Sequence, residues 1–250
     1  MGKVVLAARL ALRDLRRRPA PAFLLLLAIA AAAAVLTLGL ALQGVTDRPY
    51  EQTRAATNGP DVVAYQTVPG GRPGHLPAAP AAETALTRAP GVTASSGPYP
   101  IVDADLRVGS RTAGAMVQGR DEARGAVDRP RLTAGRWVRP GGVVIERTFA
   151  EALGVGVGDH VDLGGRSFRV AGVAVTAAEL PYPNLCYEGA TGCITLDFPG
   201  PVTTRDIGLV WATRADAAEI GSRSGPAPTR PTVYALNLKL AQPADAPAFA

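Results

Sequence analysis

Apolar positions run from Pro19 to Thr46, 28 residues, without one charge. The centre, Ala22–Leu42, holds eight leucines and eight alanines and is apolar apart from Thr37 and Gly39. At ~1.5 Å rise per residue, a helix of this core spans roughly 31 Å, about one hydrocarbon thickness. Pro19 and Pro21 fall at or before the first turn, where a missing amide donor costs little. Gln43-Gly44, then Asp47, Arg48 and Pro49, end the run. The pattern predicts a transmembrane helix over 19–46 with its core at 22–42. A buried core helix seldom has this length and purity. A cleaved signal peptide has a shorter apolar region, ~7–15 residues, and a small-residue cleavage site; Leu40-Ala41-Leu42-Gln43 is a poor one. We read a retained anchor.

Ahead of the run, residues 4–18 carry a rough helical period. Val5, Ala8, Leu12 and Leu15 share one face, and Arg9, Arg13, Arg16 and Arg17 another, although Leu6 and Leu10 fall on the arginine side. Together with Arg18 these arginines predict a basic amphipathic segment, 1–18, lying on anionic membrane lipids. By the positive-inside rule the N-terminus is cytoplasmic and the chain after the helix lies outside the cell membrane.

The remainder, residues 47–250, alternates short β-like runs with turn residues and predicts a mixed α/β domain, so the fold class is α+β. Strands are expected at 61–66, 101–102, 106–108, 115–118, 143–146, 161–163, 167–175, 194–196, 207–213 and 233–240. Short helices are expected at 81–89, 147–153 and 215–220, and a first helical turn after Leu240. Gly164-Gly165 reads as the turn of a hairpin. Residues 67–80 read as a Gly/Pro loop.

Composition changes one point. The net charge is +5, but six basic residues and one acid crowd into the first 18 positions, and the rest balances at 20 of each. A basic face on the folded domain, which nucleic-acid binding needs, is therefore not expected. The 28 glycines and 22 prolines fit many turns and short strands.

Candidate chemistry is sparse. His75 and His160 have no metal-ligand partner at a usual spacing. No G-x-S-x-G, H-E-x-x-H or P-loop occurs. Gly154-Val-Gly-Val-Gly-Asp159 follows a helix instead of leading from a strand into one, so it reads as a turn and not a phosphate cradle. Asp103 and Asp105 share one strand face and read as solvated edge carboxylates. No catalytic, cofactor or metal residue is assigned, and no enzymatic activity is expected. Cys186 and Cys193 are the only cysteines. In an oxidising exterior they predict a disulfide, worth roughly 2.5 kcal/mol by loop entropy.

The stretch Gly135-Arg-Trp137 to Val175 carries a resemblance. It contains Gly141-Gly-Val-Val-Ile-Glu-Arg-Thr-Phe-Ala-Glu-Ala-Leu-Gly-Val-Gly-Val-Gly-Asp-His-Val-Asp-Leu163, then Arg166-Ser-Phe-Arg-Val-Ala-Gly-Val173. With the basic segment, the span and the helix before Pro90-Gly91-Val92, it resembles the start of an FtsX-like ABC transporter permease with a MacB-type extracytoplasmic core domain. The resemblance implies two protein partners, a separate cytoplasmic ABC ATPase and a second permease copy or half, beside the membrane lipids expected from the basic segment. It also implies export of a substrate or remodelling of an outside partner. Ala30–Ala34 and Gly39 would let another helix approach closely. Such permeases continue into three further spans, so a chain ending at Ala250 is expected to be truncated within the domain. The competing reading is a single-span anchored binding or sensor domain without an ATPase. An exported enzyme lacks a nucleophile or metal set.

Overall fold

The computed structural model describes residues 19–68, 76–187, 204–223 and 232–249. The basic segment with Arg9, Arg13, Arg16, Arg17 and Arg18 lies outside them, as do His75, Cys193 and the expected strand at 194–196. The chain divides into two units, Met1–Glu51 and Gln52–Ala250.

Helix α1, Pro19–Thr57, supplies the described part of the first unit and ends in the second. Leu and Ala, strong helix formers, dominate its first half. The Thr37 hydroxyl donates back to the Ala33 and Ala34 carbonyls at 2.6 and 3.1 Å, so it is satisfied inside the helix. The helix does not stop at Gln43–Pro49 as the sequence suggests. Pro49 is accommodated in its interior, although a proline there removes one ladder hydrogen bond. Nine large apolar side chains from Phe23 to Leu40 stand exposed, Val35 at 72%. Among the described residues no helix is long and apolar enough to cross a membrane, so the span expected over 19–46 is not established by the structure. Side chains at 21, 22, 25 and 41–48 are not among those described, and they interrupt the apolar run.

The second unit is built on a sheet. Among the described residues its strands are β1 (Val62–Val68), β2 (Val92–Val108), β3 (Arg111–Arg120), β4 (Arg131–Gly135), β5 (Gly142–Glu146), β6 (His160–Leu163), β7 (Arg166–Val175), β8 (Asn184–Tyr187), β9 (Thr204–Thr213) and β10 (Thr232–Leu240). The helices are α2 (Ala81–Leu86), α3 (Arg147–Leu153), α4 (Arg214–Arg223) and the terminal α5 (Ala246–Phe249), which a 3₁₀ turn, Pro243–Asp245, precedes. The order is β1-β10-β2-β3-β9-β5-β7-β4, with β6 against β2 and β7 and β8 against β9. β3/β9 and β5/β7 are parallel; the other pairs are antiparallel.

The short strands expected at 101–102 and 106–108 form one strand of 17 residues. β2 pairs with β10 over Val92–Ile101 and with β3 over Ile101–Val108. Gly97, at φ +109°, sits opposite the irregularity in β10 between Ala235 and Asn237, where a Cβ would lie 2.6 Å from the Ala235 carbonyl oxygen. Only glycine fits there. β4 and β8 were not anticipated. Helix α2 stops at Leu86, three residues short of expectation.

Both faces of the central strands are buried. On β9, Val210 and Ala212 join one apolar cluster, while Ile207, Leu209 and Trp211 join another. β3 divides Ala115 and Val117 from Met116, and β5 divides Val143 and Ile145 from Val144. The period of two assigns alternate residues to opposite faces. Helices α3 and α4 cover the first face through Phe149, Ala150, Leu153, Ala217 and Ile220. They lie close because glycines lie beneath them. A Cβ on Gly208 would fall 2.1 Å from the Phe149 ring, and one on Gly119 3.1 Å from the Ala217 Cβ.

Local signals set the helix ends. The Glu146 carboxylate accepts from the Phe149 amide at 3.0 Å, and Gly154, at φ 69°, closes α3 in the left-handed conformation. Thr213 and Asp216 cap α4 reciprocally: the Asp216 amide donates to Thr213 Oγ1 at 3.1 Å, which donates to Asp216 Oδ2 at 2.7 Å. The β6–β7 hairpin turns at Gly164-Gly165, both at positive φ, as a type I′ turn requires.

Candidate functional site

The expected site residues do not converge. Cys186 lies on β8, and its side chain and Cys193 are outside the described set, so the disulfide lies outside what the structure describes. His160 is exposed at the start of β6. Among the described residues no group of three or more His, Cys, Asp or Glu could hold a metal ion. Gly154–Asp159 is a turn: the Asp159 carboxylate accepts from the Gly156 amide at 2.8 Å. Asp103 and Asp105 lie opposite Met116 and Gly114 of β3; Asp103 is half-buried and Asp105 exposed.

The concentrated polar chemistry lies on the second face, at the end of β3. Arg120 is 3% exposed. Its Nε donates to Gln118 Oε1 at 2.9 Å, and its other nitrogens reach the Asp128 carbonyl oxygen and carboxylate. The guanidinium lies 4.0 Å from the centre of the Tyr99 ring, a cation–π contact. Gln118 Oε1 also accepts from Trp211 Nε1 at 3.2 Å. The second oxygen of Asp128 accepts from Thr176 Oγ1 at 2.5 Å, and Thr176 Oγ1 accepts the Ala178 amide at 3.0 Å. Five separate chain segments thus meet around one buried ion pair. Such a pair is strongly destabilised when only one partner is removed.

Beside it, Tyr65 on β1 donates to Glu179 Oε1 at 2.6 Å. Burial pushes the Glu179 carboxyl up to about 7, against the opposing effect of the Tyr65 hydrogen bond. Burial, and then the neighbouring Glu179, push the Tyr65 phenol upward as well. The recess bounded by Tyr99, Arg120, Asp128, Pro130 and Trp137 has no interior wide enough for water. The network therefore acts as a fastener: it holds the loop 121–130 and the segment after β7 to the sheet.

A second buried carboxyl lies on α2. Glu83 is 2% exposed, and neither of its oxygens has a hydrogen-bond partner among the described residues. Burial pushes it up to about 7. Tyr234 donates to the Pro77 carbonyl oxygen; its phenol is pushed upward by burial, and also by the charge of Glu83, while Arg214 opposes. Sequence patterns missed all of these groups. The partners lie up to 157 residues apart, and the visible hint was the polar Gln118 and Arg120 at the end of an apolar strand.

A family model described as MacB-like periplasmic core domain matches residues 22–249. The search of curated proteins finds no match. Among solved structures, the extracellular domain of the noncanonic ABC-type transporter YknZ from Gram-positive bacteria is similar. It has 12% identity and a TM-score of 0.37, over 67% of this chain and 75% of that one. The periplasmic region of MacB from Actinobacillus actinomycetemcomitans has 13% identity and a TM-score of 0.38, over 71% and 74%. A domain of a putative permease protein from Porphyromonas gingivalis has 13% identity and a TM-score of 0.33, over 61% and 59%.

Proposed function

The chain belongs to the MacB-like periplasmic core domain family, and from that membership we propose that it is the extracytoplasmic part, with its membrane anchor, of an ABC transporter permease subunit. A separate cytoplasmic ATPase supplies the energy, and the motion passes through membrane helices to the domain, which exports a substrate or remodels an outside partner. The observation that carries this reading is the extent of the family match, which begins at residue 22 inside the uncharged run and continues to 249. The exposed apolar side chains of α1 support an anchor, since lipid tails would cover surface that water penalises. The sparse catalytic chemistry suits a mechanical or binding element better than an enzyme.

Two measurements test it. A reporter fused after Phe249 should be active only if it is outside the cytoplasm; activity of a cytoplasmic reporter there refutes the topology. Crosslinking in membranes of the producing cell should capture an ABC ATPase with the chain. Correct topology without any ATPase would favour the anchored binding or sensor domain instead.

A further inference from the structure

A cavity of about 350 Å³ opens where β4, β5 and β7 meet the turn before β6. Its size falls in the range of small-ligand sites. Arg136, Arg139 and Arg169 line it, with Val157, Pro140 and Val170. No carboxylate is among its lining residues. None of the three arginines forms an ion pair among the described residues. The nearby acids bond to other groups. Asp159 accepts from the Gly156 amide. Asp216, which accepts from the Gly141 amide at the cavity edge, is bonded to Thr213 and Arg166.

The lining of the hollow is thus positively charged, although residues 19–250 as a whole are neutral. Three like charges gathered around one hollow raise a positive potential there that favours an anion. Val157 is 48% exposed, which places an apolar surface beside the arginines. The backbone packs closely at the rim of the hollow. At Gly135, φ +75°, a Cβ would lie 2.8 Å from Val157 Cγ2 and 2.2 Å from the Ala171 carbonyl oxygen. Guanidinium forks match the geometry of phosphate and carboxylate oxygens.

We propose that this cavity binds an organic oxyanion, a phosphate monoester by preference, with its charged group on Arg136, Arg139 and Arg169 and its apolar stem against Val157. The chemistry is shared by small phosphate esters and by the headgroup of an anionic phospholipid.

The test is calorimetric titration of the full chain in a non-ionic detergent. The probes are monobutyl phosphate, inorganic phosphate and dihexanoyl phosphatidic acid. Saturable binding of monobutyl phosphate is expected, tighter than that of inorganic phosphate. The variant R139Q/R169Q should lose affinity by at least about tenfold. Both arginines are exposed, and an unchanged far-UV spectrum verifies the fold. V157S should narrow the gap between monobutyl and inorganic phosphate and leave inorganic phosphate unaffected. Tighter binding of the phosphatidic acid assigns a lipid as the source; weaker or equal binding assigns a free ester. Absence of saturable heat, or equal heat in R139Q/R169Q, overturns the proposal; the retained heat would then report the arginines of residues 9–18. Equal affinity for butyl and inorganic phosphate overturns the apolar half.

Discussion

Replacing Glu83 with Gln should change the pH dependence of stability in a defined direction. The Glu83 carboxyl has both oxygens out of water and without a hydrogen-bond partner among the described residues. Its pKa is about 7 in the fold against 4.5 for the unperturbed group. Below pH 4.5 the folded and unfolded chains both hold the proton, and the carboxyl imposes no penalty. Between 4.5 and 7 the unfolded chain has released it and the folded chain has not. Stability then falls as pH rises, by ~1.4 kcal/mol per pH unit. Above 7 the loss levels off at about 3 kcal/mol. Gln is isosteric and does not titrate; its amide carries a burial cost that is the same at every pH. The stability difference, variant minus wild type, should therefore shift in favour of the variant by about 3 kcal/mol between pH 4 and pH 8. Glu179, also raised to about 7, contributes to both proteins and cancels. Urea denaturation of the full chain in detergent, followed by the fluorescence of Trp137 and Trp211, reads the second unit. A difference that stays constant from pH 4 to pH 8 would refute the reasoning.

Other outcomes follow from the packing. Arg120→Met should destabilise by roughly 3–5 kcal/mol, because Asp128 is left buried and charged; adding Asp128→Asn should recover part of it, as a double-mutant cycle in urea would measure. Gly208→Ala should cost at least ~1–3 kcal/mol through its clash with Phe149. Combined with Phe149→Leu the loss should be smaller than the sum of the two, and a strictly additive thermal shift would contradict the contact. Gly154→Ala should lower stability by about 1 kcal/mol, since it places a Cβ at φ 69°; an unchanged melting midpoint would count against the cap.

Legibility in the chain followed the range of the interaction. Helix α3, closed by Gly154, and the hairpin at Gly164-Gly165 were readable because each stop or turn signal lies within or beside the element it ends. The strands Thr204–Thr213 and Thr232–Leu240 were also readable, because apolar residues dominate them. The two strands read at 101–102 and 106–108 illustrate the failure. Asp103 and Asp105 looked like interruptions, yet the pairing of β2 with β3 runs through both. Partners on another strand, not neighbours in sequence, decided that the strand continues. Helix α1 likewise ran on through Gly44 and Pro49, where breakers suggested a stop.

The 28-residue uncharged run, the charge imbalance of the first 18 positions and the family phrase from Gly135 to Val175 stand in the linear chain. They depend on composition and local order, and any fold would preserve them. The joining of Gln118, Arg120 and Asp128 to Thr176 and Trp211, the burial of Glu83, and the gathering of Arg136, Arg139 and Arg169 around one hollow arise only when distant segments meet. A carboxylate or guanidinium reads alike along the chain whether water or protein surrounds it, and closure of the sheet decides which.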